Sequence, residues 1–211
     1  RYHNIMFALV ESGSITKMLN GNRGITIDGV QHPRTIYTLW TEAERNAIGI
    51  YEITIDTSKK KDEQWYINTN ITYAFSGGKV TGSYGDATAK AHADTKWTQS
   101  EIDAGKAPEG ADTNTVKEEG LKTVLIRQVK KQTESELNKT DWYITRKSEK
   151  DTAIPSSITT HRDAVRAKQA SMETQITNAS DTPALETLYT YTEQEDGSVT
   201  RPIGNIPTLE V

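Results

Sequence analysis

Two arginines in the C-terminal half, Arg162 and Arg166, are the residues whose type and spacing best support specific recognition. They lie four positions apart in a predicted helix, so both side chains project from one face. A guanidinium binds a carboxylate through two parallel hydrogen bonds. The pair could clamp a carboxylate of another subunit, or it could form ion pairs with Asp141, Glu149 or Asp163 in its own domain, and we favour the ion pairs.

The sequence has no pattern that indicates catalysis. It lacks a nucleophile elbow, a Walker-type loop and a dinucleotide fingerprint. There is no cysteine, which excludes disulfides, thiol nucleophiles and cysteine-ligated zinc. The four histidines are far apart and lack the spacing of metal ligands: His3, His32, His92 and His161. We therefore expect a protein that is not an enzyme and that uses no cofactor and no metal ion.

The charge distribution argues against nucleic acid as a partner. The net charge is -4 and the pI is near 5.7, whereas a nucleic-acid-binding protein usually has a strong basic excess. Lysines and arginines do gather between Lys117 and Lys150, but glutamates and aspartates alternate with them. No apolar run approaches the ~18 residues that a membrane-spanning helix needs. We expect neither nucleic acid nor a membrane among the partners.

The composition also limits the hydrophobic core. Hydrophobic residues make up 34% of the chain, and the mean hydropathy is -0.68, below the usual share of a globular domain. The chain is unusually rich in threonine, which favours strands and helix caps. We expect a protein that completes its apolar burial against other subunits, either its own copies or different proteins.

Exposed aromatic residues are the second set of candidates for partner contact. Trp65, Tyr66 and Tyr84 fall on predicted strands and could form a platform that stacks on a sugar or docks a protein. Trp142 follows Asp141 at a predicted helix-to-loop junction. We favour burial of its indole in the core, with contact to a partner as the alternative.

The N-terminal half has the pattern of short hairpins. Residues 7–10 and 15–18 flank Gly13, and Asp28-Gly29 follows the strand 25–27. Strands are also predicted over 50–55, 65–75 and 79–84. Capping boxes at Thr41-Glu44 and Thr98-Glu101 predict two short helices, the first of which ends at Gly49.

Two long amphipathic helices are predicted in the C-terminal half. The first begins near Thr115, and the second begins just after Pro155. They pack as an antiparallel hairpin, followed by a short helix at Thr182-Pro183, a hairpin over 188–201 and an extended tail. The segment 105–114, rich in Gly, Pro, Asp and Asn, is the predicted linker between domains 1–104 and 115–211. The predicted fold class is therefore α+β.

Two segments resemble tail-fibre assembly and tail-associated structural proteins of tailed bacteriophages. One segment runs from Asp141 to Arg166, with Asp-Trp, a polar spacer, a proline and then the Arg-x-x-x-Arg helix. The other is WTEAERNAIGIYEI, Trp40 to Ile53, in which a capped short helix leads into a strand. The resemblance implies work on trimeric fibres or other tail parts, without a cofactor. It also implies a location in the virion, and in the host cytoplasm during assembly.

These observations predict a non-enzymatic phage structural or assembly protein that acts through protein–protein contacts. Its partners would be other phage structural proteins or further copies of itself. The alternative is a carbohydrate-binding or adhesin-type module, with a surface glycan bound by the exposed aromatics of the hairpins.

Overall fold

A computed structural model of the protein describes residues 6–209. Contacts within the chain divide it into two compact units, Arg1–Thr88 and Ala89–Val211. The first is rich in strands and the second is mainly helical, which confirms the predicted α+β class. The division falls between residues 88 and 89, so the segment 105–114 lies inside the second unit.

The first unit contains a mixed five-stranded sheet with the order β2-β1-β5-β8-β7. Only the β5–β8 pair is parallel, and the other neighbours are antiparallel. The elements in chain order are β1 (Phe7–Glu11), β2 (Ser14–Leu19), β3 (Ile25–Ile27), β4 (Val30–His32), α1 (Ile36–Leu39), α2 (Glu42–Ala47), β5 (Ile50–Asp56), β6 (Tyr66–Ile67), β7 (Thr72–Ser76), β8 (Lys79–Ser83) and, at the unit boundary, β9 (Thr88–Ala89).

The sheet of the first unit carries apolar residues on both faces. One face packs against α1 and the β3–β4 hairpin, where Phe7, Leu9, Ile36 and Ile50 are buried. On the other face a smaller cluster forms around Val80. Strand β1 supplies both clusters, so four consecutive residues, 7–10, are buried. A continuous apolar run is what a central strand with two covered faces requires.

The turns and caps predicted for this half are confirmed. Asp28 and Gly29 both have positive φ, 48° and 80°, as a two-residue hairpin turn requires. The Thr41 hydroxyl accepts from the Glu44 N–H, and the Glu44 carboxylate accepts from the Thr41 N–H, which completes the capping box. The strand predicted over 65–75 is wrong in part, because residues 68–71 separate β6 from β7.

The second unit consists mainly of helices, with short strands before α4 and after α7. In chain order its elements are β10 (Thr95–Lys96), α3 (Gln99–Asp103), β11 (Val116–Glu118), α4 (Leu121–Asn138), α5 (Asp141–Lys150), α6 (Ser156–Asn178), α7 (Thr182–Tyr189), β12 (Thr192–Glu193) and β13 (Val199–Thr200). The second capping box is present at α3, where Lys117 and Thr98 lower the pKa of Glu101 to about 2.

Helices α4 and α6 pack against each other in antiparallel orientation. The Lys122 ammonium near the start of α4 donates to the carbonyl of Thr177 near the end of α6. At the opposite end, Arg162 donates to the carbonyl of Leu137. The predicted helical hairpin is therefore confirmed, with one difference: α5 intervenes between its two arms. Its buried apolar residues are Leu125, Val129, Ile158, Val165, Met172 and Ile176.

Two predicted boundaries in the second unit are corrected, and the predicted linker lies inside this unit. Helix α4 begins at Leu121 and not near Thr115, because Val116–Glu118 pairs with β10 as a strand. The Gly/Pro/Asp/Asn-rich segment ends in a tight turn, in which the Asp112 carboxylate accepts from the N–H groups of Asn114 and Thr115. The last hairpin is shorter than predicted, because residues 188–189 belong to α7.

The C-terminal segment after β13 is partly packed. Pro202 and Ile203 lie in a turn, and the Ile203 side chain is fully buried. Residues 205–209 have no regular secondary structure, as predicted for an extended tail, and the last two residues of that tail lie outside the described range. Within residues 6–209, none of the helices has both the length and the apolar character to cross a membrane.

Gly49 offers a test of the turn that connects α2 to β5. Its φ is +84°, and an added Cβ would lie 2.6 Å from the backbone oxygen of Val10. Gly29 has a similar φ, +80°, but open space around the Cβ position. We expect Gly29→Ala to lower the free energy of unfolding by about 1 kcal/mol, and Gly49→Ala by about 2 kcal/mol or more. Urea denaturation of both variants measures the difference, and equal losses would refute the backbone clash.

Candidate functional site

The stripe of α4 that faces α6 changes from apolar to polar along the helix. Leu125 and Val129 are buried in its first half, whereas Thr133 and Glu136 are buried in its second half. Thr140, just after the helix, is also buried. Buried polar groups need hydrogen-bond partners. The start of α6 supplies one partner to each of two of them: His161 to Glu136 and Arg162 to Thr140.

Arg162 of α6 joins the end of α4 to the start of α5. Its side chain is buried, with the residue 7% exposed. One terminal nitrogen, Nη1, donates to the Leu137 carbonyl at 2.8 Å, the Thr140 hydroxyl at 2.7 Å and the Asp141 carboxylate at 2.8 Å. The arginine therefore forms an ion pair within its own unit, and its burial prevents it from acting as an inter-subunit clamp.

Arg166 has a different environment from Arg162, although it lies one helical turn later. Its side chain is half exposed, and Nη1 lies 3.7 Å from the Asp163 carboxylate. An exposed pair at this distance contributes little to stability. The two arginines therefore cannot bind one ligand together, because Arg162 is buried in contacts within its unit and Arg166 faces solvent.

Glu136 is the second member of this buried polar group. Its carboxylate accepts from the Lys139 ammonium at 2.5 Å and from the backbone N–H of Leu209 at 2.8 Å, and it lies 3.0 Å from Nε2 of His161. Burial raises the pKa of Glu136, but the hydrogen bonds from these three groups outweigh it and hold the pKa below its ordinary value. The C-terminal segment is thereby tied to α4.

Helix α5 is an exposed element. Its start is held by the contacts of Arg162 with Leu137, Thr140 and Asp141, which we call the α4–α5 junction. It spans ten residues, Asp141–Lys150, and none of them is buried. Trp142 is 51% exposed and Ile144 is 43% exposed. The predicted helix-to-loop junction at Trp142 is wrong, because the residue lies in the first turn of α5, and the expected burial of its indole is wrong too. The helix has Asp141 in its first turn and Lys147 and Lys150 in its last, which favours the helix through its dipole.

Three side chains of α5 form a stacked group, which we call the α5 aromatic–arginine patch: Trp142, Tyr143 and Arg146. The two ring centroids are 3.8 Å apart at an interplanar angle of 30°. The guanidinium carbon of Arg146 lies 4.7 Å from the Trp142 centroid and 5.3 Å from the Tyr143 centroid. Cation–π contacts of this kind hold the charge in place while its remaining donors stay available.

Arg146 lacks a polar partner within the part of the chain that the structure describes. It forms no ion pair there, and its buried Nε has no hydrogen-bond acceptor. A guanidinium on an aromatic support, with open donors beside exposed apolar side chains, is suited to bind a carboxylate of another protein. Arg146 was not among the residues predicted from the sequence to bind a partner. Its spacing from Trp142 and Tyr143, i+4 and i+3, was the available signal.

The aromatic platform predicted in the first unit is not formed. Trp65 is 3% exposed and Tyr66 is 5% exposed, so neither ring is open to a ligand. Tyr84 is partly exposed, and the Lys60 ammonium lies 5.8 Å from its ring centroid. Alternation along a strand places every second side chain in the core. Trp65 lies in the turn before β6, outside the alternation, so it and its neighbour Tyr66 are both buried. The glycan-binding hypothesis therefore loses two of its three rings.

The second unit also contains a groove of about 520 Å³ between α4 and the C-terminal segment, lined by two cations, Lys131 and Arg201. Arg201 is already engaged: it lies over the rings of Tyr189 and Tyr191 and donates to Gly204 and Asn205. No group of three or more His, Asp or Glu residues within 6–209 could hold a metal ion. His3 lies outside the described residues.

Comparisons with known family models, curated proteins and solved structures gave no match to this chain.

Arg162 provides a test of the junction. Arg162→Met removes the donor that the Leu137 carbonyl, the Thr140 hydroxyl and the Asp141 carboxylate share, and it leaves Asp141 without its ion pair. We expect a loss of about 2–4 kcal/mol in the free energy of unfolding of the second unit. Arg166→Met is the matched control, and we expect a change within about 0.5 kcal/mol. Urea denaturation monitored by circular dichroism compares the two, and similar effects would contradict the assigned role of Arg162.

The lowered pKa of Glu136 predicts that the free energy of unfolding depends on pH. Since the pKa of Glu136 is lower in the folded state than in the unfolded chain, its contribution is present above the unfolded value, near 4.5. That contribution is lost as the pH falls through the folded pKa. We expect the Glu136→Gln variant to be less stable at neutral pH by about 1–3 kcal/mol.

The same variant should also lose less stability than the native chain between neutral pH and about pH 3. Urea midpoints at both pH values measure this. Glu134→Gln, an exposed residue of the same helix, is the control and should follow the native chain. A Glu136→Gln variant with the same acid dependence as the native chain would rule out the assigned contribution.

Proposed function

We propose that this chain is a non-enzymatic structural or assembly protein of the bacteriophage tail or tail-fibre system, and that it acts through protein–protein contacts made by α5. The observation that carries this proposal is that α5 contains Trp142, Tyr143 and Ile144, and none of its residues is buried. A helix of ten residues is marginal in water without tertiary packing. Helix α5 is exposed, carries aromatic side chains and is held at its start by Arg162. It is therefore suited to bind another protein, which would bury those side chains.

The composition of the α5 surface supports contact with a protein. Trp, Tyr and Arg are the residue types that most often dominate the binding energy of protein interfaces. Covering the exposed half of the Trp142 side chain would contribute about 2 kcal/mol from apolar area alone. Desolvation would strengthen the attraction between Arg146 and a carboxylate. The surface thus combines an apolar anchor with a charge that can select the partner.

The resemblance to phage tail proteins supports the identity of the system. The segment that carries it, Asp141 to Arg166, contains both the exposed surface of α5 and the Arg162 anchor beneath it. The second segment, Trp40 to Ile53, contains the capped helix α2 and the start of β5. Under this proposal the protein is found in the virion, or in the host cytoplasm while tails assemble.

The proposal is tested on phage particles assembled with altered versions of this chain. Trp142→Ser removes the anchor of the α5 surface, whereas Leu39→Ser removes an exposed apolar residue from the first unit. We expect Trp142→Ser to reduce the yield of complete particles about tenfold or more, and Leu39→Ser to leave it unchanged. Both substitutions are on the surface and should change stability by less than about 0.5 kcal/mol.

Mass spectrometry of purified particles and of assembly intermediates then follows the chain itself. A fixed copy number in particles indicates a permanent component, and presence only in intermediates indicates an assembly factor. Absence from both, together with normal particle yield for Trp142→Ser, would refute the proposal.

A further inference from the structure

The loop between β2 and β3 lines a cavity that has two cations and no carboxylate among its lining residues. The cavity has a volume of about 360 Å³, and all the residues that line it belong to the first unit. Its charged and polar side chains are Lys17, Asn20, Asn22, Arg23 and Tyr37. Because the net charge of the chain is -4, this cavity is a local concentration of positive charge in an acidic protein.

The fold uses neither cation of this cavity. Lys17 lies on β2 and Arg23 lies in the loop before β3, and both are exposed. Neither side chain forms an ion pair, a hydrogen bond or a cation–π contact within residues 6–209. Lys17 precedes the buried Leu19 by two positions, so both side chains point to the face of the sheet that packs against α1. Both charges are therefore available to an anion in the cavity.

Tyr37 of α1 adds an uncharged donor to the same cavity. The residue is 8% exposed, and its ring packs on Phe7 with the two ring centroids 4.9 Å apart. Its hydroxyl has no hydrogen-bond partner in the described part of the chain. Polar groups of buried residues normally have such a partner. An oxygen of a ligand would satisfy this hydroxyl.

The loop 20–24 is held in place by contacts of its own. The side-chain oxygen of Asn20 accepts from the backbone N–H of Asn22 at 3.2 Å. The loop also passes close to α1, since a Cβ added at Gly21 would lie 3.5 Å from Cγ of Tyr37. A ligand that binds between the loop and α1 therefore meets a preformed site, which lowers the cost of ordering on binding.

Three other cavities combine differently charged groups. Each of them has carboxylates among its lining residues, and these oppose an anion: Glu136 in the groove beside α4, Glu11 and Asp28 beside the β3–β4 hairpin, and Glu42 and Glu52 beside β5. In the groove beside α4, the guanidinium of Arg201 is also engaged already. Of these four cavities, the one lined by Lys17 and Arg23 is therefore the best suited to an anion.

The charge and the size of the cavity indicate the class of ligand. Two cations without a counter-charge match a dianion, and a phosphate monoester carries about −1.5 to −2 charges near neutral pH. Lysine and arginine are both common ligands of phosphate. A volume of about 360 Å³ is near the lower end of the range for ligand sites, which favours a small molecule.

We propose that the cavity between β2, the loop 20–24 and α1 binds the phosphate group of a small phosphate monoester. Lys17 and Arg23 pair with the charged oxygens, and the Tyr37 hydroxyl donates to a third. This site lies in the first unit and does not involve α5, so its failure would leave the proposed function unchanged.

The charge of the ligand is tested by calorimetric titration of the full chain at pH 8 and constant ionic strength. Methyl phosphate is a dianion at that pH, whereas dimethyl phosphate has the same tetrahedral group with a single charge. We expect methyl phosphate to bind with a Kd of about 1 mM or lower, and dimethyl phosphate to bind about tenfold more weakly or worse. Equal affinity for the two probes, or no heat of binding with methyl phosphate at about 20 mM, would overturn the proposal.

The location of the site is tested with variants of the cavity. Lys17→Ser and Arg23→Ser should each weaken the binding of methyl phosphate about tenfold or more. Lys79→Ser removes an exposed lysine of the same unit that does not line the cavity, and it should bind like the native chain. Lys17→Ser and Arg23→Ser variants that bind like the native chain, or a Lys79→Ser variant that loses as much affinity as they do, would refute the assignment.

Tyr37→Phe separates a contact with the ligand from a role in folding. Because the hydroxyl has no partner in the protein, its removal should leave the urea midpoint unchanged and weaken the binding of methyl phosphate about threefold or more. Unchanged binding would show that Tyr37 does not contact the ligand and would contradict the proposed set of donors.

Discussion

The guanidinium of Arg162 is the interaction on which the second unit depends. One buried nitrogen reaches the last turn of α4, the Thr140 hydroxyl and the first residue of α5. These three acceptors belong to the short connection between α4 and α5, which contains few apolar side chains, so hydrophobic packing alone would not define its geometry. A buried charge is stable only when its partners are complete. The same contacts that satisfy the charge therefore fix the direction in which α5 leaves α4.

Much of the fold could be predicted from local patterns. Both capping boxes, the Asp28-Gly29 turn and the start of α6 after Pro155 depend on residues within four positions of each other, and the structure has all of them. The antiparallel pairing of two long amphipathic helices also followed from their matching apolar stripes. These features are local, or nearly so, and a single sequence contains the information that specifies them.

The errors come from interactions over long sequence distances. The start of α4 is capped by Asp94, whose carboxylate accepts from the Gly120 N–H and the Thr123 hydroxyl, 26 and 29 positions later. No local pattern reveals such a cap.

For the candidate site, the sequence pointed to Arg162 and to Asp141 as one of its possible partners. Arg146 was missed because TRKSEKD resembles a solvated loop, although its spacing to Trp142 is helical. The burial of Trp65 and Tyr66 depends on tertiary packing that alternation cannot resolve.

The parallel pairing of β5 with β8 has a consequence for how the first unit folds. The hairpins β1–β2 and β7–β8 pair residues that are close in sequence. The β5–β8 ladder pairs Ile53 with Val80, so it can form only after the chain between them has closed into a loop. Non-local strand pairing of this kind slows folding, since the cost of loop closure precedes the gain from contact. During synthesis the sheet remains incomplete until Ser83 has left the ribosome. In that interval the face of β1 that packs near Val80 stays exposed and can form non-native contacts.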